Sequence, residues 1–233
     1  MSVAAHILVV DDEPAIRRLL CTSLERAGYG VCSAGSAREA MGVTAAERID
    51  LVLLDLGLPD RDGLELIPIL RSSGSAVIVV SARDATEQKV AALDLGANDY
   101  VTKPFDSEEV LARIRSALRT RLGVETSQPL VTIGDLEIDL ARRQVRKGGR
   151  EIHLTPREYA LIAELAKRPG CVVTHAHLLK AVWGIGHEHD VEYLRVAARS
   201  LRLKIEDDPA QPRILRNDPG IGYRLVEASA GSR

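Results

Sequence analysis

Residues 51–63 read LVLLDLGLPDRDG. Four apolar residues, Leu51, Val52, Leu53 and Leu54, run without a polar break into Asp55. A short all-apolar run bounded by turn residues fits a strand buried on both faces, as in a parallel sheet. Gly57, Pro59 and Gly63 then force a loop. Asp55 is therefore expected at the carboxyl end of a central parallel strand, where open α/β folds place their ligands.

Three further apolar runs end in the same way. Residues 7–10 lead into Asp11, Asp12 and Glu13; residues 77–80 end in Ser81; residues 100–102 lead into Lys103 and Pro104. Three acids, a hydroxyl and a lysine thus fall at the ends of predicted strands. In a parallel sheet these ends meet along one edge.

Helical patterns separate the strands. Pro14 suits a first helical turn, Ile16, Leu19, Leu20 and Leu24 follow at helical spacing, and Gly28 closes that helix. Ser36 with Glu39 has the form of a capping box, opening a helix through Ala46. A helix over 64–71 contains Pro68, which is expected to shorten or kink it. Helices over 85–95 and 107–121 complete five strand–helix alternations, the pattern of a doubly wound sheet. Val110, Leu111, Ile114 and Leu118 form the inner face of the last helix.

These residues resemble the receiver domain of two-component response regulators, a flavodoxin-like doubly wound fold with a five-stranded parallel sheet. The resemblance covers roughly residues 5–121. It implies that Asp55 accepts a phosphoryl group from a sensor histidine kinase. It implies Mg²⁺ held by Asp12 and Asp55, with Asp11 acting through water and the Gly57 carbonyl as a further ligand. Ser81 and Lys103 would contact the phosphoryl group, Tyr100 would be an aromatic switch, and the Lys103–Pro104 bond would be cis. The chemistry suits these residues: Mg²⁺ prefers oxygen ligands, and an ionised carboxylate is a nucleophile needing no separate base. The resemblance also suggests a symmetric dimer face on the helix over 85–95, the strand over 100–102 and the last helix. There Lys89 with Glu109 and Asp99 with Arg113 match intersubunit ion pairs.

Composition sets the remaining bounds. The chain has 233 residues and a net charge of −2, enough for one or two domains with their own cores. No apolar run approaches ~18 residues and the N-terminus has no basic region, so neither a membrane span nor a signal peptide is expected. A cytoplasmic location follows as an expectation. Cys21, Cys32 and Cys171 show no C-x-x-C spacing, which fits reduced thiols. Residues 1–122 carry 14 Lys/Arg against 18 Asp/Glu, whereas residues 123–233 carry 17 against 15.

After residue 121 the pattern changes. LGVETSQP, residues 122–129, reads as a polar linker, and residues 228–233 as a tail. Residues 130–154 alternate in the manner of antiparallel strands, with turns at Gly134-Asp135 and Gly148-Gly149. Thr155-Pro156-Arg157-Glu158 starts a helix with cap, proline and box in place. Thr174 caps a short helix to Trp183, Asp190 opens a longer one to Glu206, and residues 213–226 read as a closing hairpin around Pro219-Gly220.

The segments LTPREYALIAEL (154–165), LLKAVWG (178–184), LRLKIEDDP (201–209) and GIGYRL (220–225) resemble the α+β winged-helix DNA-binding domain of OmpR/PhoB regulators, placed at 130–227. Residues 191–215 with PGIGYRL look nearest to the potassium-responsive Kdp subfamily. That implies a Kdp-type kinase, a potassium-uptake operon, a double-stranded operator and RNA polymerase as partners. Arg195, Arg199 and Arg202 share one helical face with Lys204 nearby, and Arg can read guanine edges or grip phosphate. Arg216, Tyr223 and Arg224 lie in the wing. Pro219 stands where such wings often carry an arginine, so Arg216 or Arg224 is expected to touch phosphate instead. His175, His177, His187 and His189 lack zinc spacing and read as surface histidines.

Two other functions stay open on the sequence. An Asp-nucleophile phosphatase of the haloacid dehalogenase type would place a second Asp two residues after Asp55, where Gly57 stands. A regulator that binds DNA without phosphorylation would have no use for the full acidic set.

Overall fold

The computed structural model describes residues 5–124 and 130–226, with the backbone alone for 119–124. The chain divides into two compact units, 1–121 and 122–233.

In the first unit the elements are β1 (His6–Val10), α1 (Pro14–Arg26), β2 (Gly30–Ala34), α2 (Ala37–Ala46), β3 (Leu51–Leu54), α3 (Gly63–Ser72), β4 (Ala76–Ser81), α4 (Thr86–Asp94), β5 (Asp99–Thr102) and α5 (Ser107–Val124). The strands form one parallel sheet in the order β2-β1-β3-β4-β5. The order reverses between β1 and β3, and at such a switch point a crevice opens above the carboxyl ends of the strands. Every residue of β3 and β4 is buried. Alternate residues enter two cores, one under α2, α3 and α4 and one under α1 and α5.

Four local expectations are corrected. In α1, Leu20 and Leu24 are buried but Leu19, about 100° around the helix from Leu20, is 51% exposed. The Ser36 hydroxyl accepts from the Glu39 amide, but the Glu39 carboxylate accepts from Gly35, so the box does not close. The helix α3 runs through Pro68 to Ser72. Proline within a helix costs about 3 kcal/mol, whereas full burial of Leu66, Ile67 and Leu70 contributes about 1.5–3 kcal/mol each, so packing prevails. Finally, α5 continues to Val124, so residues 122–124 are helix rather than linker. The rest of the expected linker and the tail lie outside the described residues.

The second unit contains β6 (Leu130–Ile133), β7 (Leu136–Asp139), β8 (Gln144–Lys147), β9 (Arg150–Glu151), α6 (Pro156–Ala166), β10 (Val173–Thr174), α7 (His175–Trp183), α8 (Val191–Ile205), β11 (Leu215–Asp218) and β12 (Gly222–Leu225). Strands β6 to β9 form an antiparallel meander, and β10, β12 and β11 form a second sheet closed by the terminal hairpin. The three helices and both sheets share one core, which includes Ile138, Leu161, Leu178, Leu201 and Leu225. This is a winged-helix domain. Among the described residues no helix is long and apolar enough to cross a membrane.

The α6 capping box closes as expected, but its Glu158 does more. This buried carboxylate also accepts from Ser200 and forms a 2.6 Å ion pair with Lys204, joining α6 to α8. Burial pushes the Glu158 carboxyl up. The bonds from Lys204, Ser200 and Thr155 outweigh this and bring it to about 2, below its ordinary 4.5. A depressed carboxyl contributes stability above its unfolded pKa and loses it as pH falls through the folded value. We expect Glu158→Gln to lose about 3 kcal/mol of stability in the second unit at pH 7. The gap to the parent should close between pH 4.5 and about 2. Urea melts followed by Trp183 fluorescence measure it; a gap undiminished at pH 2 would exclude the carboxylate charge as its source.

Candidate functional site

The carboxyl edge of the parallel sheet carries the acids. Asp11 follows β1, Asp55 follows β3, Ser81 ends β4 and Lys103 follows β5. The Asp55 amide donates to the Val10 carbonyl (2.8 Å) and the Asp11 amide to Ala34 (3.2 Å), so the ladder continues past the strands and fixes both backbones. Asp11 is 2% exposed and Asp55 6%, whereas Asp12 is open to solvent. Carboxylate oxygens of Asp11, Asp12 and Asp55 lie within 4.8 Å of one another.

Lys103 completes the pocket. Its ammonium lies 2.8 Å from Asp11 and 2.8 Å from Asp55, with Glu13 at 3.5 Å on the rim. The Lys103–Pro104 bond is cis. Buried charges persist when paired and hydrogen-bonded. Burial pushes the Asp55 carboxyl up, but the Lys103 ammonium, the Ser81 hydroxyl and the Gly57 amide together hold it below its ordinary range. Burial would lower Lys103, yet Asp11 and Asp55 raise it. At Asp11 burial prevails and the carboxyl is raised. The result is an ionised nucleophile beside a cation, in a pocket whose open side is lined by Asp12. Three hard oxygen donors, two buried and one exposed, fit a hard divalent cation that keeps several waters.

Tyr100 is buried, and burial raises its phenol. Its hydroxyl donates to the Arg83 carbonyl in the loop after β4, and the Lys89 ammonium sits 5.9 Å from its ring centroid. Arg113 pairs with both Asp99 and Glu109 at 2.6 Å. The structure therefore gathers Asp99, Glu109 and Arg113 within one chain and turns Lys89 to Tyr100.

The second group of predicted residues separates on inspection. On α8, Arg195 and Arg199 are exposed. Between and beyond them stand Val196, 68% exposed, and Leu203, 66% exposed, two apolar side chains that attention to charge had passed over. Arg202 does not share that open face. Its Nε donates to the Leu215 carbonyl (3.1 Å), and its guanidinium lies over the Tyr223 ring. Lys204 is committed to Glu158 and to the His153 carbonyl. Tyr223 is buried against His175, and Arg224 grips Asp218 through two 2.8 Å bonds. These four were expected on DNA; within this chain they also fasten the wing and helices together. Arg216 is exposed on β11. His177 pairs with Glu164 and His187 with Asp190. Among the described residues the acidic pocket is the one cluster with metal-ligand geometry.

Sequence reasoning also missed Glu206. Its buried carboxylate accepts from the amides of Arg213, Ile214 and Leu215 at 2.7–3.1 Å, turning the chain from α8 into β11. Pro209 and Pro212, which follow Glu206, mark the helix end in the sequence; the eight-residue return from Glu206 to these amides leaves no local signal.

Residues 7–115 match the response regulator receiver domain family, and residues 149–225 match the C-terminal domain of transcriptional regulatory proteins. The chain is 45% identical over 222 residues to the KDP operon transcriptional regulatory protein KdpE of Escherichia coli strain K12, spanning 95% of this chain and 99% of that one. It is 44% identical over 221 residues to the transcriptional regulatory protein KdpE of Mycobacterium tuberculosis strain H37Rv, spanning 94% and 98%. A solved receiver domain protein from Methanospirillum hungatei JF-1 superposes with a TM-score of 0.50 at 32% identity, spanning 52% of this chain and 98% of that one.

Proposed function

The chain belongs to the two-component response regulators of the OmpR/PhoB type, and from that membership we propose that Asp55 is the phosphoryl acceptor that switches DNA binding. The observation that carries this is the Asp55 carboxylate, ionised, buried and held 2.8 Å from the Lys103 ammonium at the mouth of the sheet. Asp11, Asp12 and Asp55, with the Gly57 carbonyl, would hold Mg²⁺.

A carboxylate oxygen of Asp55 attacks the phosphorus of a phosphohistidine on the sensor kinase. The new P–O bond forms as the P–N bond breaks, and the imidazole leaves, taking a proton from solvent. Phosphoryl transfer needs mainly positioning and charge stabilisation. Lys103 offsets the repulsion between Asp55 and the incoming anion, and the Ser81 hydroxyl stands ready to bond it. Bound Mg²⁺ supplies further positive charge to the phosphoryl oxygens. The chain performs this transfer on itself and is otherwise a transcription regulator.

Transfer to Asp55 draws Lys103 and Ser81 toward the phosphoryl group. Ser81 lies two residues from the Arg83 carbonyl that holds Tyr100, so the change reaches the face bearing Tyr100, Lys89, Asp99, Glu109 and Arg113. We infer that this face then forms a symmetric dimer in which Arg113 and Asp99 exchange partners between copies. Such rim pairs set register more than affinity, at about 0–1 kcal/mol each. Identity of 45% to KdpE supports a Kdp-type kinase and a potassium-transport operon as its partner and target. Gel shifts and sedimentation of the full chain, each with and without a small phosphodonor, test the switch. Tighter operator binding and a dimer only with the donor support it; equal binding in both conditions refutes it.

The operator is read by α8. Its exposed Arg195, Val196, Arg199 and Leu203 would enter the major groove, with Arg216 on phosphate and half-sites about one DNA turn apart. Arg199→Ala is expected to cost about 1–3 kcal/mol, concentrated at one base position. Arg202→Ala is expected to lower the melting temperature of the second unit without changing the salt slope, because its partners are Leu215 and Tyr223. Binding titrations across a salt series decide: unchanged binding by Arg199→Ala would show that α8 does not face DNA.

A further inference from the structure

We propose that Asp60 is a positioning residue of the phosphoacceptor pocket: it tethers the loop after β3 to the start of α2 and so holds the Gly57 carbonyl at the cation. The inference rests on the acidic pocket being a Mg²⁺ site, as proposed above.

The loop between Asp55 and α3 starts inside the pocket. There the Gly57 amide donates to Asp55 Oδ1 at 3.2 Å. The loop ends at Asp62, which caps α3 through the Leu64 amide and binds Arg83 at 3.1 Å. Arg83 also reaches the Leu56 carbonyl at 3.3 Å. Between these ends the chain passes through Gly57, Leu58, Pro59 and Asp60. Asp60 reaches out of the loop with both carboxylate oxygens. Oδ1 accepts from the Ala37 amide and Oδ2 from the Arg38 amide, each at 2.9 Å.

These two amides are the first of α2, which the helix itself leaves without partners. Local capping does not require Asp60, because Ser36 already serves as the N-cap and takes the Glu39 amide. What Asp60 adds is a link across 22 and 23 residues of sequence. Two parallel charge-assisted bonds fix direction as well as distance. The Arg38 and Ala37 amides hold the carboxyl below its ordinary range, as bonds to the charged form do. One side of the pocket is therefore anchored to a rigid helix.

A metal site responds when the groups behind its ligands are removed, commonly by 10–100-fold in affinity. Asp60 acts through the backbone of the loop, so the lower end is expected. Mg²⁺ alone is titrated into the full chain by calorimetry, with no phosphodonor present. Asp60→Ala should raise the dissociation constant about tenfold, and Asp60→Asn, which keeps one acceptor, by an intermediate factor. Ser36→Ala removes the other cap of α2 but leaves the tether; it should stay within about twofold of the parent.

Three results overturn the proposal. Unchanged Mg²⁺ affinity in Asp60→Ala removes the tether from the pocket while leaving the pocket assignment intact. A loss in Ser36→Ala as large as in Asp60→Ala assigns the effect to α2 stability. A parent chain that binds no Mg²⁺ refutes the pocket assignment and the tether together.

Discussion

Asp55→Ala should abolish Mg²⁺-dependent labelling by a phosphodonor, because it removes the carboxylate proposed as the acceptor. The neighbouring acids cannot take over. Asp11 is buried, with one oxygen on Lys103 and the other on the Glu13 amide. Asp12 faces solvent without the lysine that lowers the repulsion. The loss should be chemical rather than a failure to fold. Lys103, 2.8 Å from Asp11 in the parent, still has that partner in the variant, and one of the three like charges sharing the pocket is gone. Gel-resolved labelling with radioactive donor measures this, with circular dichroism as the fold control. Undiminished labelling of Asp55→Ala would place the acceptor elsewhere.

Gly222→Ala should destabilise the DNA-binding unit by about 3 kcal/mol or more, at the upper end for overpacking because the obstacle is backbone. A Cβ at this position would stand 2.0 Å from the Val173 carbonyl oxygen and 2.9 Å from the Thr174 Cα. Both belong to β10, which pairs with β12 through Thr174 and Gly222. No flexible side chain is available to move aside, so the two strands must part. The damage spreads, since Thr174 also caps α7 through the His177 amide. Urea melts read by Trp183, the chain's one tryptophan, give the size. A variant within about 0.5 kcal/mol of the parent, the range of an ordinary surface substitution, would show that the strands separate without strain.

How much of this was legible in the sequence depended on range. Strands β3 and β4 were readable because both faces are covered, which leaves an unbroken apolar run; their last residues then marked the pocket. The winged-helix elements were readable from caps and turns, all interactions within a few residues. The helical spacing of Ile16 and Leu19 was legible, but spacing alone does not decide which side is buried, and Leu19 is exposed. The end of α5 was misjudged because Gly123, a residue that commonly marks a helix end, is carried inside the helix here. The partners of Arg202 and Lys204 within the chain were illegible for a different reason. Periodicity gives a face, but a carbonyl at Leu215 or a carboxylate at Glu158 can claim a long cationic side chain from that face. Glu158 was correctly expected in a capping box; its bond to a lysine 46 residues away was invisible. Nothing in the sequence singled out Asp60, and only the fold shows that its two partners begin another helix.

The placement of Lys103 between Asp11 and Asp55 has a further consequence for ionic selectivity and for the salt response of phosphorylation. The three inner carboxylates against one ammonium leave a formal charge of two negatives, with Glu13 outside them on the exposed rim. A monovalent ion leaves one of them uncompensated, a trivalent ion overshoots, and a divalent ion brings this inner group to neutrality. A neutral inner group adds nothing to the long-range field that an approaching phosphodonor meets. Ionic strength acts on encounter rates through such long-range fields, over about 8 Å at physiological salt. Labelling by a small phosphodonor should therefore depend steeply on salt at low Mg²⁺ and only weakly once the pocket is filled.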